Sequence, residues 1–185
     1  LKLRIIPILI RLGDGGPVFY KQARVGKQGQ VISYDARSDM LEQAMHNIKA
    51  MHPEHQQLTI KLADVYEGFE ERDLDRIVLD LAEPWRVTCH ASESLAPGGI
   101  ILGFLPTVMQ VRDFVLALKR ETFEMVETHE ILMRPWTVGP RIVRPDHRMI
   151  GHTGFITTAR KCAPGKIRLP DPTDGESEDS APEGR

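Results

Sequence analysis

From Val31 onward the apolar and polar positions switch between two periods. Val31–Tyr34 is a short apolar run ending on Asp35, and Leu58–Leu62 alternates with period two before Asp64, so each predicts a strand. Between them Met40, Leu41, Ala44, Met45 and Ile48 recur at helical spacing, predicting a helix over Asp39–Met51 with Ser38 as its cap. Leu74–Leu81 is the next strand. Trp85–Leu95 reads as a helix stopped by Pro97-Gly98-Gly99, Ile100–Leu105 as an apolar strand, and Thr107 as the cap of a long helix over Val108–Arg120. Phe123–Met133 and His152–Ala159 are predicted as two final strands, antiparallel neighbours because no helix separates them. The succession predicts an α/β fold with a mainly parallel sheet and a C-terminal antiparallel hairpin.

Composition narrows the class. A chain of 185 residues with 41% hydrophobic and 27% charged residues suits one soluble domain with a single core. A first residue of Leu rather than Met fits a fragment. Cys89 and Cys162 have no motif spacing, which excludes a disulfide framework or zinc site and fits a reducing cytoplasm. The net charge of −2 conceals an uneven distribution: residues 1–30 carry +5, residues 31–161 carry −4 and residues 162–185 carry −3. Nucleic-acid binding would therefore need a local basic patch. No apolar run approaches the roughly 20 residues of a membrane span, and Ile5–Ile10 is interrupted by Pro7. The tail from Ala163, rich in Pro, Gly, Ser and acid, has little to bury and is expected to be disordered.

The chemistry concentrates in two passages. DRIVLDLAEPW, Asp75–Trp85, runs apolar residues into Asp80 and stops at Glu83-Pro84. That is how a buried parallel strand delivers a carboxylate to the end of a sheet where α/β proteins bind ligands. RPDHRMIGHTGF, Arg144–Phe155, closes a longer stretch that begins MRPW at Met133. Together these passages closely resemble the bacterial tRNA (adenine-N1)-methyltransferases that modify adenine 58 using S-adenosylmethionine (SAM). The resemblance covers roughly residues 25–161. It implies a Rossmann-like SAM-dependent methyltransferase sheet, SAM as cofactor, tRNA as substrate, a homotetramer and a cytoplasmic location.

The resemblance also assigns roles. Asp35, in VISYDAR, matches an acidic position that accepts the ribose hydroxyls of the adenosyl group; taken alone it is an ordinary loop aspartate. Asp64, in LADVYEG, matches a carboxylate beside the adenine, with the Val65 N–H nearby, and reads equally well as a cap or turn residue. Asp80 matches the catalytic aspartate, which can hold the donor's amino group or accept from the N6–H2 of the extruded adenine. An unpartnered carboxylate at that strand end is costly to bury, which weighs against a purely structural Asp80. Pro84 and Trp85 either shape a pocket wall or, for Trp85, join the core. Arg134, Trp136, Arg141, Arg144 and Arg148 form the candidate RNA-binding set, with His147 among them, since arginines interleaved with an aromatic suit phosphates and bases; the bland alternative is a solvated loop. His152 reads as a structural strand histidine rather than as part of the base pocket. His46, His52 and His55 have no carboxylate at ligand spacing, so no metal is expected.

The first thirty residues read differently. GPVFYKQARVGKQGQ, Gly16–Gln30, resembles a segment of bacterial membrane-associated sugar-phosphate transferases, whose catalytic part has no counterpart here. The glycine-rich SAM loop of the methyltransferases does not precede Val31. Three parts are thus expected: an atypical 1–30, a partial catalytic domain over 31–161, and an acidic tail over 162–185. The first strand and glycine loop are missing or substituted, and the chain is truncated or chimeric. A substitute would use Ile5–Leu12 as the strand, Gly13–Gly16 as the loop and Pro17–Arg24 as a short helix, against which stand Pro7 and the GDGG pattern. The leading function is SAM-dependent N1-methylation of tRNA adenine, weakened by the loss of the loop. The alternatives are a non-catalytic remnant that keeps tRNA or subunit contacts and a sugar-phosphate transferase fragment.

Overall fold

A computed structural model of the chain describes residues 9–10, 29–51 and 58–163. The strands are β1 (Leu9–Ile10), β2 (Val31–Asp35), β3 (Leu58–Leu62), β4 (Leu74–Asp80), β5 (Leu95–Leu105), β6 (Phe123–Glu130), β7 (Trp136–Gly139), β8 (Ile142–Pro145) and β9 (Phe155–Lys161). The helices are α1 (Ser38–Met51), α2 (Thr88–Ser94) and α3 (Val108–Arg120), with 3-10 turns at Val65–Glu67 and Pro84–Val87. One seven-stranded sheet has the order β3-β2-β1-β4-β5-β9-β6, and β7 and β8 form a separate two-stranded ribbon. β1 to β5 are parallel, while β9 runs antiparallel to both β5 and β6. This is the Rossmann-like sheet of SAM-dependent methyltransferases, mainly parallel with an antiparallel C-terminal edge.

Alternation along the parallel strands sends side chains to both faces, and helices cover both. Ile32, Ile77, Leu79, Ile101 and Leu105 pack with Phe114 and Leu118 of α3 and Ala91 of α2. On the other face Val31 packs against Ala44 and Ile48 of α1, with Leu58, Ile60 and Val78 beside them. Gly103 has a packing reason: a Cβ there would lie 2.7 Å from the Phe114 ring, so its absence lets α3 close onto β5. α3 begins with a capping box in which Thr107 and Gln110 satisfy each other's backbone N–H groups.

The central slot between β2 and β4 is filled. Leu9 pairs with both Tyr34 and Leu79, and Ile10 with Asp80, so a strand occupies the slot. The two paired residues follow Pro7 in the chain, so neither lacks a backbone donor. The predicted Gly13–Gly16 loop, the Pro17–Arg24 helix and the acidic tail from residue 164 lie outside the described residues.

Several boundaries differ from expectation. The helix predicted over Trp85–Leu95 splits into a 3-10 turn led by Pro84 and the short α2, and Leu95 already belongs to β5. Pro97-Gly98-Gly99 does not end the element before a fresh strand. The register instead slips between Leu74 opposite Leu95 and Arg76 opposite Ile100, so Ala96–Gly99 bulges within β5. β6 ends at Glu130 rather than Met133, and β9 starts at Phe155 rather than His152. α1 opens at Ser38 itself, because Leu41 N–H donates to the Arg37 carbonyl.

A polar network locks β2 to β3 on the approach to the next strand. Lys61 of β3 donates to Glu71 Oε1 at 2.6 Å and the Tyr34 hydroxyl of β2 donates to Glu71 Oε2. The Glu71 side chain is only 9% exposed. Burial pushes its pKa up, but the Lys61 and Tyr34 bonds outweigh this and hold it below its ordinary value near 4.5. The Tyr34 phenol is pushed up to about 12, first by burial and then by its bond to Glu71. Glu71 has a lowered folded pKa, so its contribution is complete above about pH 4.5 and disappears as the pH falls through the lowered value. Tyr34 has a raised folded pKa, so its contribution is complete below about pH 10 and is lost towards pH 12. Glu71→Gln should therefore flatten the loss of stability below pH 4.5, measured as urea midpoints against pH. It should also bring the Tyr34 phenolate transition, followed by ultraviolet absorbance, down from about 12.

Candidate active site

Parallel strands end together, and the register places their last residues along one edge. Asp35 closes β2 opposite Leu62 of β3, and Asp80 closes β4 opposite Ile10 of β1. The sheet order reverses direction between β1 and β4, the switch point at which open α/β sheets form ligand crevices. A cavity of about 480 Å³ opens there, within the range of roughly 300–1,000 Å³ common for small-molecule sites. Asp35, Asp64, Val65 and Asp80, the four residues singled out from sequence as the SAM site, all line it.

Each carboxylate has a local structural reason. Asp35 is largely buried, and its Oδ1 accepts from the Arg37 N–H at 2.9 Å, turning the chain from β2 into α1. Asp64 caps the Val65–Glu67 turn by accepting from the Tyr66 N–H at 2.9 Å. The cap role and a place in the cavity wall thus coexist at one residue. As the first residue of that turn, Val65 has an N–H with no carbonyl to meet inside its own helix. Arg37 forks onto Asp39, 2.6 Å from Oδ2, leaving the cavity side of β2 with one acidic group and one cation already paired. The bond to Asp39 raises the Arg37 pKa and lowers that of Asp39.

The opposite wall was not legible as a site. It is made of Leu81, Ala82, Pro106 and Gln110, and the Gln110 Nε2 donates to the Ala82 carbonyl at 3.0 Å. Gln110 therefore ties the start of α3 to the loop that follows Asp80. Thr107-x-x-Gln110 is visible as a capping box in sequence, but the third bond, spanning 28 residues, is not. Tyr66 also lines the cavity; its hydroxyl accepts from the Glu83 N–H at 3.1 Å and the Arg86 guanidinium stacks 4.1 Å from its ring centroid. Pro84 and Trp85 take no part in the lining: Pro84 is buried and Trp85 half-buried behind it.

The candidate RNA residues lie away from this cavity, in the connection between β6 and β9. This connection, for which a solvated loop was the bland alternative, folds as a β-ribbon. Trp136 pairs with Pro145, Thr137 with Arg144, Val138 with Val143 and Gly139 with Ile142, while Arg141 sits in the turn. Strand alternation then separates the set. Trp136, Val138, Val143 and Pro145 share one face, and Arg144 lies on the other with Thr137 and Ile142. Arg134 is the arginine seen against the indole, its Cζ 6.0 Å from the Trp136 ring centroid. Arg148 is exposed beyond the ribbon. Among the described residues no group of His, Cys, Asp or Glu could hold a metal ion, and no helix is long and apolar enough to cross a membrane.

Comparison with known proteins places this arrangement. The model of the tRNA methyltransferase complex GCD14 subunit family matches residues 18–143, most of the chain. The chain is 35% identical over 191 residues to the tRNA (adenine(57)-N(1)/adenine(58)-N(1))-methyltransferase of Methanocaldococcus jannaschii, covering 90% of this chain and 65% of that one. It is 32% identical over 150 residues to the tRNA (adenine(58)-N(1))-methyltransferase of Thermus thermophilus, covering 80% of this chain and 58% of that one. The crystal structure of a SAM-dependent O-methyltransferase from Thermotoga maritima superposes with a TM-score of 0.81 at 31% identity, over 90% of this chain and 62% of that one. The chain thus spans 58–65% of the length of these relatives. With its sheet, its strand-end carboxylates and a family match over more than half its length, the chain belongs to the tRNA methyltransferase complex GCD14 subunit family.

Proposed function

We propose that this chain carries the SAM-dependent N1-methylation of adenine 58 in tRNA. The observation that carries the reading is the convergence of Asp35 and Asp80, the last residues of β2 and β4, with Asp64 just beyond β3, on one cavity at the switch point of the sheet. The fit to SAM is chemical. An acid at the end of β2 suits a vicinal ribose diol, and a carboxylate with a main-chain N–H at Asp64–Val65 suits an adenine edge. When bound, SAM supplies an electrophilic methyl group on a cationic sulfonium. Asp80, across β1 from Asp35, would accept from the donor's amino group or from the target adenine N6–H2, in either case aligning reactants rather than exchanging a proton at N1. Gln110, by holding Ala82, keeps the loop after Asp80 in place.

Asp80→Ala should lower the rate of methyl transfer at least about 100-fold while leaving the fold intact, because the lost group orients reactants and does not fill the core. Tritiated-methyl transfer to unmodified tRNA, with nucleoside analysis and a thermal melt, measures both. Transfer surviving in Asp80→Ala removes that residue from catalysis. A parent chain that binds tRNA but transfers no methyl group supports the non-catalytic reading.

tRNA is proposed to meet the arginines of the β6–β9 connection, and the reading carries a cytoplasmic location with it. Arg134, Arg141 and Arg148 are exposed and Arg144 half-buried, in a central segment that is otherwise acidic. Arg141→Ala with Arg144→Ala should weaken tRNA binding and reduce the slope of log affinity against log salt by roughly 1.4–1.8, two counterion-releasing contacts. Filter binding between 50 and 300 mM salt reads the slope, and an unchanged slope places RNA elsewhere.

The apolar face of the ribbon supports self-association, and the assembly proposed from the resemblance is a homotetramer. Val138 and Val143 lie directly opposite each other at 75% and 69% exposure, beside Trp136 at 55%. A two-stranded ribbon is marginal alone and gains stability by covering such a face. Introducing Val138→Asp and Val143→Asp together should convert the oligomer to monomer in light scattering without unfolding the main sheet. A tetramer persisting in this variant would move the interface off the ribbon.

A further inference from the structure

Three elements meet on one imidazole at the edge of the cavity. His152, in the turn before β9, has Nδ1 2.5 Å from Glu130 Oε1 at the end of β6 and Nε2 2.7 Å from the Pro106 carbonyl between β5 and α3. Its ring lies 4.9 Å from that of Phe155. The partners fix the proton count. A carbonyl oxygen only accepts, so Nε2 bears a proton, and a carboxylate oxygen at hydrogen-bond distance from Nδ1 requires a second proton between them. With both bonds made, the pair holds one proton more than a neutral histidine beside an ionised glutamate. Consistent with this, the Glu130 bond and then the Pro106 carbonyl raise the His152 pKa above its ordinary 6.5.

An exposed histidine–carboxylate pair is ordinarily worth little, and these side chains are 44% and 40% exposed. The second bond makes this one different, because Pro106 is part of the cavity wall. Thr107 follows it and shares the capping box with Gln110, whose amide holds Ala82 two residues beyond Asp80. The backbone after His152 is seated against β5: a Cβ on Gly154 would fall 2.5 Å from Phe104 Cζ. We infer that His152 is a positioning residue for methyl transfer: bridging Glu130 and the Pro106 carbonyl as an imidazolium, it fixes the Pro106–Gln110 wall beside Asp80. The inference rests on the methyltransferase reading for its consequence but not for its geometry. The groups facing His152 are few. β6 presents Glu130, with His129 next in the chain, β9 presents the Phe155 ring, and Pro106–Val111 contains no titratable side chain. On α3 beyond them Arg112 and Asp113 pair with each other.

The test uses the full chain, with nuclear magnetic resonance and kinetics on the parent, Glu130→Gln and His152→Gln. Both His152 nitrogens should be protonated at pH 6, with a midpoint above 6.5 that drops in Glu130→Gln. The backbone amides of Thr107 and Gln110 should titrate with that same midpoint in the parent and lose the transition in His152→Gln. In tRNA methylation, His152→Gln should lower kcat about tenfold or more with KM for SAM within about twofold. The alkaline fall in rate should move to lower pH in Glu130→Gln. Thr107 and Gln110 amides that ignore the His152 titration, or a His152→Gln chain with the parent's kcat, would overturn the assignment. If the parent transfers no methyl group the methyltransferase reading fails, and the amide titration alone decides whether His152 governs the wall.

Discussion

Everything at the candidate site depends on two backbone pairings. Leu9 and Ile10 stand between β2 and β4, and adjacent strands sit about 4.8 Å apart, so the ends of β2 and β4 are held roughly 10 Å apart. Without a strand in that slot the two halves of the parallel sheet would either collapse together or leave unpaired backbone donors buried at the centre, each expensive to strand. With it, Asp35 and Asp80 face a shared crevice across a single strand width. The carboxylates become one site because a short backbone segment spaces them.

That spacing is reinforced on both sides by bonds that belong to neither catalysis nor the core. Glu71 pins Tyr34 to Lys61, fixing β2 against β3 just before Asp35 and Asp64 leave the sheet. Gln110 pins the start of α3 to the loop after Asp80. Glu71 is nearly buried, where a bond unmade costs more than a bond made contributes, whereas the Gln110–Ala82 bond lies in exposed surroundings. Among the described residues these bonds tie β2 to β3 and the loop after β4 to α3.

Much of the frame was legible because buried parallel strands and amphipathic helices write their period into the sequence. β2, α1, β3, β4 and α3 fall where Val31–Asp35, the Met40–Ile48 spacing, Leu58–Leu62, Asp80 and Thr107 place them. Asp35 and Asp64, ordinary loop or cap residues on their own pattern, were singled out with Asp80 by the family resemblance, and the register brings all three to one cavity. Misread elements have physical causes. Pro84 starts a 3-10 turn that dilutes the helical period of Trp85–Leu95, and the Ala96–Gly99 bulge hides the continuity of β5. The β7–β8 ribbon escaped because it is not packed on the main core: with both faces open, apolar and charged residues alternate without marking an inside. Gln110, Glu71 and Glu130 were missed because their partners are 10 to 37 residues away, at distances no local pattern records.

The ribbon's exposure has a further consequence for how surface and site are connected. Its two strands leave the sheet from β6 and return to it through His152 and β9, so any force on the ribbon enters the fold at Glu130 and His152. His152, held by Glu130, also holds the Pro106 carbonyl, and Pro106 is cavity wall. A partner resting on Trp136 and Val138, or a phosphate drawn to Arg144 on the opposite face, would thus bear on the same three-way junction. Strand alternation puts Trp136 and Val138 on one face of the ribbon and Arg144 on the other.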